Sequence, residues 1–315
     1  MKQLAIVIPA YKIDFFRETL ESLASQTCKD FTVYIGEDCS PNDFESIISD
    51  FKNSLDIRYV RFLSNLGGSD LVAQWERCLD LTEGEPWLWL FSDDDVIGKH
   101  CVELFYKHIS SVENVADIYH FDVNIIDEKG NLISKSRKYP HVISVEDFFM
   151  KKETAKIDSF VVEYIFSRKI YNEVHGFQNF PLAWGSDIAT WIKMGKEKGI
   201  ETIEGDNVYW RTSSKNITPN LGKDMAFRKF NINIEYIKWV NNFFKIPKII
   251  HFNQYHLLRL TVHYCLILEK NQINDVLSKA VSEKILSNSK KVFILNMLPL
   301  FRIGKRIKTF FCKYY

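Results

Sequence analysis

Trp87-Leu88-Trp89-Leu90-Phe91-Ser92-Asp93-Asp94-Asp95-Val96 is the stretch whose reading decides the fold. Its run of large apolar residues, with Gly84 and Pro86 before it, predicts a buried strand that ends in three adjacent carboxylates. Adjacent anions repel, so three in a row at a strand's end need water or a cation, and a hard divalent ion with oxygen ligands fits best. The carboxyl edge of an open α/β sheet is also where such folds bind ligands. A solvated acidic turn would read the same way in isolation, so the flanking sequence decides.

Upstream, Leu4 to Ile8 is an apolar run stopped by Pro9, and the spacing from Phe15 through Leu20 and Leu23 predicts a helix. Phe31 to Ile35 predicts a second strand, again ending in acid at Glu37-Asp38. A helix over 44–51, a strand over 57–63, the glycine turn Asn65-Leu66-Gly67-Gly68-Ser69 and a helix over 71–81 lead to the central stretch. Strands alternating with helices imply parallel pairing and right-handed crossovers, which gathers the acidic and glycine turns on one edge of the sheet. Downstream, a helix over 101–108, a strand over 116–123 and a hairpin-type turn at 127–131 are expected. A helix from Val145 capped by Ser144, a strand over 161–166 and a turn at Gly176-Phe177 follow. The helix over 187–198 carries Asp187 in its first turn, 208–210 is a short strand, and from Met225 the chain reads as helical.

At 315 residues the chain is long enough for a full core plus an appendage. Its 46% hydrophobic and 14% aromatic content is globular, rich enough in rings to suggest an aromatic-lined cleft or partner surface. A formal charge of +1 gives no overall pull toward nucleic acid. The six cysteines show no CxxC or paired spacing, which reads as reduced thiols in a cytosolic protein, and no run of apolar residues predicts a signal peptide or membrane span. In that setting the Asn216-Ile217-Thr218 sequon is a coincidence of composition.

Four places in order, Val7-Ile8-Pro9-Ala10-Tyr11, Glu37-Asp38, Phe91-Ser92-Asp93-Asp94-Asp95, and Gly176-Phe177 followed by Asp187, resemble the family 2 glycosyltransferases. The resemblance covers about residues 1 to 215 and implies the GT-A fold, an α/β, Rossmann-like mixed and mostly parallel sheet flanked by helices. A catalytic domain over 1–220 and a helical C-terminal region over 221–315 are therefore expected. It further implies inverting transfer of a sugar from a nucleotide diphosphate sugar, with a UDP-sugar foremost, to a saccharide or lipid-linked acceptor in cell-surface polysaccharide synthesis.

That chemistry needs a cation on the leaving diphosphate, a grip on the nucleoside and a base for the acceptor hydroxyl. The resemblance assigns Mn2+ or Mg2+ to the acid run in one of two registers. Aligned on the family pattern, Ser92 replaces the first Asp, Asp94 is the metal ligand and Asp93 lies near the ribose; read literally, Asp93-x-Asp95 makes Asp95 the ligand. Pro9 and Tyr11 match nucleoside-contacting residues, Asp38 a carboxylate that accepts from a uracil N–H, and Asn65 and Gly67 a turn near the donor. Turn chemistry explains Tyr11, Asp38, Asn65 and Gly67 equally well. Asp187 stands in the place of the catalytic base, with Ser186 replacing a family acid; a helix N-terminus also favours an acid there. Trp184 is an acceptor-stacking candidate, Trp191 reads as core, and His175 is structural. Arg211, in the segment Trp210-Arg211-Thr212 continuing to Asn216 and Thr218, is a candidate phosphate contact or a surface ion pair.

Beyond Glu283 no acidic residue appears, while basic residues accumulate among Leu300, Ile303, Ile307 and Phe310, which fall on one helical face. Residues 284–315 therefore read as a basic amphipathic helix for the anionic inner face of the membrane, or as a helix docked on this domain or on a second copy in a homo-oligomer, with Pro299 limiting it to a few turns. Two other functions compete: a sugar-phosphate nucleotidyltransferase, which would want a Gly-rich basic loop where Pro9-Ala10-Tyr11-Lys12 stands, and a catalytically silent nucleotide-sugar-binding subunit, suggested by Ser92 and Ser186.

Overall fold

The structure is a computed structural model that describes residues 2–111, 116–213 and 222–314, with side chains through Lys305. The chain divides after Ser213 into two compact units.

The first unit begins as a strand–helix alternation: β1 (Leu4–Ala10), α1 (Phe16–Ala24), β2 (Phe31–Glu37), α2 (Phe44–Phe51), β3 (Ile57–Arg61), α3 (Leu71–Leu79) and β4 (Trp87–Leu90). Asp43 and Asp70 start α2 and α3 by accepting from the backbone N–H of Ser46 and Ala73. After β4 the chain turns through the acid run into the short β5 (Val96–Ile97), then α4 (Cys101–Ser111), β6 (Ile118–Ile126), β7 (Leu132–Lys135) and β8 (Val142–Ile143). Next come α5 (Val145–Glu153), capped by Ser144 as expected, β9 (Tyr164–Ser167), α6 (Arg168–Glu173), α7 (Ser186–Met194) and β10 (Ile200–Arg211).

The ten strands form one sheet in the order β3-β2-β1-β4-β9-β6-β10-β5, with β7 on β6 and β8 on β10. Pairing is parallel from β3 through β4, as the alternation predicts. Beyond β4 the sheet is mixed, as the resemblance implies. β9 lies antiparallel to both β4 and β6, while β6 and β10 pair parallel. The strand expected over 161–166 is present as β9, with its first three residues, Val161–Glu163, forming a 3-10 turn instead. The strand expected at 208–210 is twelve residues long. A register shift between Ile203 and Val208 breaks its apolar pattern.

The chain runs outward from β1 to β3 and then returns to the other side of β1 as β4. The carboxyl ends of β1 and β4 thus form the switch point at which open sheets bind ligands. Below it, Trp89 stacks on Phe121 at 5.7 Å, and Trp87 meets Phe105 edge-on at 5.3 Å. Many of the rings that composition suggested for a cleft are therefore core.

The second unit is helical: α8 (Lys223–Phe244), α9 (Pro247–Tyr264), α10 (Lys270–Ser282) and α11 (Asn288–Tyr314) around a core that includes Phe230, Leu257, Leu277, Ile294 and Leu298. Pro299 does not end α11, contrary to expectation. It is exposed, so the carbonyl it leaves without a helical donor lies toward solvent. No helix among the described residues is long and apolar enough to cross a membrane.

Candidate active site

The site forms where β1, β2 and β4 end. Backbone N–H groups of Tyr11 and Lys12 donate to Asp93 Oδ2 at 2.7 and 2.6 Å, so Asp93 fastens the turn after β1 to the turn after β4. Asp95 is equally committed: Oδ1 accepts from the Arg211 backbone N–H at 2.6 Å, Oδ2 accepts from the Ser92 hydroxyl at 2.6 Å, and its carbonyl accepts from Thr19 Oγ1. Asp94 Oδ1 lies 2.9 Å from the same Ser92 hydroxyl, and its Oδ2 pairs with the Lys12 ammonium. Lys12 Nζ is also 3.7 Å from Asp93 Oδ1.

Burial, Asp94 and the weaker opposing pull of its hydrogen bonds set Asp95 at about 8. Burial raises Asp93 to about 6 against the attraction of Lys12. Burial works against the Lys12 charge as well, but Asp93, Asp94 and Asp95 outweigh it and hold the ammonium above the usual lysine value. The expectation that only an external cation makes the acid run tolerable is thereby corrected: Lys12, Ser92 and backbone donors share the load. Lys12 went unnoticed in the sequence except as part of a loop that lacked glycine.

Arg211 is corrected too. Its side chain is fully buried rather than open to a phosphate, with Nε on the Asp94 carbonyl at 2.8 Å and Nη1 on the Asp127 carbonyl at 3.1 Å. Nη2 meets Glu18 at 2.5 Å, and the guanidinium lies over Phe15 at 4.4 Å. Arg211 braces the acid run from beneath. Thr212 donates its backbone N–H to Ile126; Asn216 and Thr218 lie outside the described residues.

Asp38, expected to accept from a uracil ring, is spent within its own loop. Oδ1 accepts from Leu66 N at 2.7 Å and from Arg77; Oδ2 accepts from Gly67 N at 2.8 Å and Asn65 Nδ2 at 3.0 Å. Those four donors fill a carboxylate's lone pairs. Asn65 completes the loop by accepting from Gly68 N, and a Cβ on Gly67 would sit 2.8 Å from Asp38 Oδ2. Asp38 and Asn65 thus tie the turn after β2 to the turn before α3. Pro9 is in β1 opposite Gly36, and Tyr11, just after β1, is 46% exposed.

Asp187 is half-buried in the first turn of α7, and burial raises its carboxyl above the ordinary range. The turn before it is strained: Leu182, Ala183 and Gly185 all have positive φ. That turn presents the half-buried Trp184. Ser186 is buried and its Oγ accepts from Phe180 N–H at 2.9 Å, so the missing family acid is replaced by a structural hydroxyl. Trp191 is core, stacked on Tyr164 at 4.5 Å. Glu163 and Asp122, which sequence reasoning passed over, are raised by burial, and Glu163 also feels the Asp187 charge. Glu163 follows Val162, whose carbonyl accepts from the Trp89 indole of β4 at 2.7 Å. Among the described residues no hydrogen bond joins Asp187 to the acid run.

No three His, Cys, Asp or Glu side chains among the described residues could hold a metal by themselves. A divalent ion here would need one or two carboxylates plus donor phosphates, which is ordinary for Mg2+. Asp94 Oδ2 fits that role, because its partner is a movable ammonium with 29% of its side chain exposed. Asp95 does not, since both of its oxygens are held by donors fixed in the fold.

Residues 5–173 match the model of Glycosyl transferase family 2, which is more than half the chain, and the protein belongs to that family. Over 99% of its length it is 22% identical to the whole of the GalNAc(5)-diNAcBac-PP-undecaprenol beta-1,3-glucosyltransferase of Campylobacter jejuni. A 134-residue stretch, 41% of this chain and 22% of the other, is 28% identical to the poly(ribitol-phosphate) beta-N-acetylglucosaminyltransferase TarS of Staphylococcus aureus. The solved structure of TarS 1–349 in complex with UDP-GlcNAc superposes with a TM-score of 0.61 over 96% of this chain and 92% of that one, at 14% identity. That likeness is one of fold.

Proposed function

We propose that the protein is an inverting glycosyltransferase that takes sugar from a UDP-sugar and delivers it to a saccharide carried on a lipid or polymer. Family membership supports the reaction, and the names of the two relatives support the acceptor class. The observation that carries the reading is the acid corner at the β1/β4 switch point, where one carboxylate oxygen, Asp94 Oδ2, faces a displaceable cation.

In this reading Asp94 holds Mg2+ or Mn2+, which when bound would stabilise the charge that develops on the departing diphosphate. Asp93 and Asp95 keep the turn in shape, and the exposed Tyr11 ring offers a face to the nucleobase. Asp187 takes the proton from the acceptor hydroxyl, whose oxygen attacks the anomeric carbon opposite the leaving UDP and so inverts its configuration. A carboxyl raised by burial is better matched to that task at neutral pH than an ordinary aspartate. Trp184 provides a surface for an acceptor ring. A lipid-linked acceptor would bring the protein to the cytoplasmic face of a membrane.

The test is thermal stabilisation by UDP, GDP and dTDP sugars with and without manganese, followed by UDP release from the stabilising donor. Only the uridine donor with metal should stabilise strongly, and Asp187→Asn should bind it yet release no UDP. Equal release by wild type and Asp187→Asn would remove Asp187 as base. Donor binding without any turnover by wild type, with acceptor present, would favour the silent-subunit reading that Ser92 and Ser186 suggested.

A further inference from the structure

Of the two readings its sequence allows, a helix on a membrane or a docked helix, α11 shows docking of one face on its own unit. Ile294 and Leu298 are buried in the core of the second unit. Arg302 donates to the carbonyls of Cys265 and Leu268 at 2.9 and 3.0 Å, Lys291 to Ser278 Oγ at 2.9 Å, and Lys305 to the His263 carbonyl. One face of the helix is docked, and the other is left exposed. On that outer face Val292, Phe293, Leu300 and Ile303 are 47%, 59%, 58% and 55% exposed. At 100° per residue these four fall within about a third of a turn of one another, opposite Ile294 and Leu298. Ile307 and Phe310, expected on the same face as Leu300 and Ile303, lie outside the described side chains.

Four large apolar groups in a row along a docked helix form a patch that water disfavours, which marks a contact surface. Charge chooses the occupant. From Lys284 to Tyr315 the chain carries eight Lys or Arg and no Asp or Glu. A second copy packed about a two-fold axis would bring two such segments together with like charge, which opposes the contact. An anionic bilayer offers both an apolar layer for the ridge and negative headgroups for its cationic surroundings.

We propose that the ridge Val292, Phe293, Leu300 and Ile303 is a membrane-docking surface that inserts between the headgroups of anionic lipids while α11 stays packed on its own unit. The proposal serves the lipid-linked acceptor reading above, yet its test requires neither donor nor acceptor.

The full chain is sedimented with vesicles of phosphatidylcholine alone and with about a third phosphatidylglycerol, at low and high salt. A triple variant, Phe293→Ser, Leu300→Ser and Ile303→Ser, is compared after its melting temperature is shown to match wild type; the single Phe293→Ser serves if the triple does not fold. The proposal expects binding only to the anionic vesicles, weakened by salt, and reduced by more than about tenfold in the triple variant. It is overturned if neither vesicle binds, or if the variant binds as well as wild type. It is also overturned if light scattering shows a wild-type dimer that the variant dissolves while vesicles are ignored. UDP binding by the same preparation is measured separately, so a protein that binds UDP but not vesicles loses this proposal and keeps the transferase reading.

Discussion

Replacing Arg211 with methionine separates a brace from a phosphate ligand. Methionine fills much of the same space, so what is removed is chiefly the guanidinium. Its bond to the buried Asp94 carbonyl is charge-assisted and contributes roughly 1.5–3 kcal/mol, and that to the half-exposed Asp127 carbonyl contributes less. The partner Glu18 has half its side chain exposed and can turn to water, so its share is small. Stacking over Phe15 adds about 1 kcal/mol. Against these stands the cost of burying the charge, which is recovered in the variant. The balance is a loss of about 3 kcal/mol, or roughly 6–12 °C in melting temperature. Arg211→Lys should recover only part of it, because an ammonium cannot reproduce the planar fork that reaches both carbonyls.

Thermal unfolding followed by near-ultraviolet circular dichroism, paired with calorimetric titration of UDP, reads both quantities. The brace requires the melting temperature to fall in the absence of any nucleotide. A phosphate ligand on an otherwise indifferent surface would leave it in place and weaken UDP alone. If Arg211→Met melts within about 2 °C of wild type while UDP affinity drops by tenfold or more, the assignment made from the buried geometry is wrong.

The two registers of the acid run diverge in the same assays. Asp94→Asn should abolish the manganese-dependent part of UDP binding with little change in stability, whereas Asp95→Ala should cost about 2 kcal/mol by leaving the Arg211 N–H without its acceptor; the reverse pattern would make Asp95 the metal ligand. Lys12→Met should destabilise the metal-free protein by roughly 2 kcal/mol at pH 9 and by less at pH 5. The sign follows from the folded values of about 6 for Asp93 and 8 for Asp95, both above the unfolded carboxylate: acid protonates them in the native state and removes their share of the attraction to Lys12, leaving its contact with Asp94. Urea melts that show the same loss at both pH values would exclude Lys12 as the counter-ion of Asp93 and Asp95. His120, stacked on Tyr139 and held neutral by burial at about 3, has the opposite sign. Its folded value lies below the unfolded one, so its contribution is present above pH 6.5 and is lost as acid charges the unfolded imidazole. Between pH 6.5 and 5 wild type should lose about 2 kcal/mol more than His120→Phe in urea melts, and parallel losses would refute that account.

The strand that ends in the acid run was legible because its signal is local: a block of large apolar residues, a turn, then charge. The β1, β2 and β4 edges came with it, since alternation with helices fixes parallel neighbours. Orientation beyond β4 was not legible, because β9 has the same short apolar pattern whether it runs parallel or antiparallel, and its position depends on what β4 and β6 leave open. Lys12 meets Asp94 across 82 residues and Arg211 meets Glu18 across 193, so their partners exist only once the sheet has closed. The same holds for Asp38, whose four donors come from a loop and a helix some 27 to 39 residues onward. Sequence chemistry identified residues that need partners but could not say whether the partner was the ligand or the fold. That distinction changes what the three aspartates imply. Self-repulsion alone seemed to require a divalent ion, yet Asp93 and Asp95 are held by donors of the chain itself, and a lysine stands against Asp94. The remaining case for a metal therefore rests on the substrate: a diphosphate bringing its own negative charge to Asp94 would meet one ammonium where it needs a stronger cation. Metal and nucleotide should consequently bind as a pair, each weakly without the other.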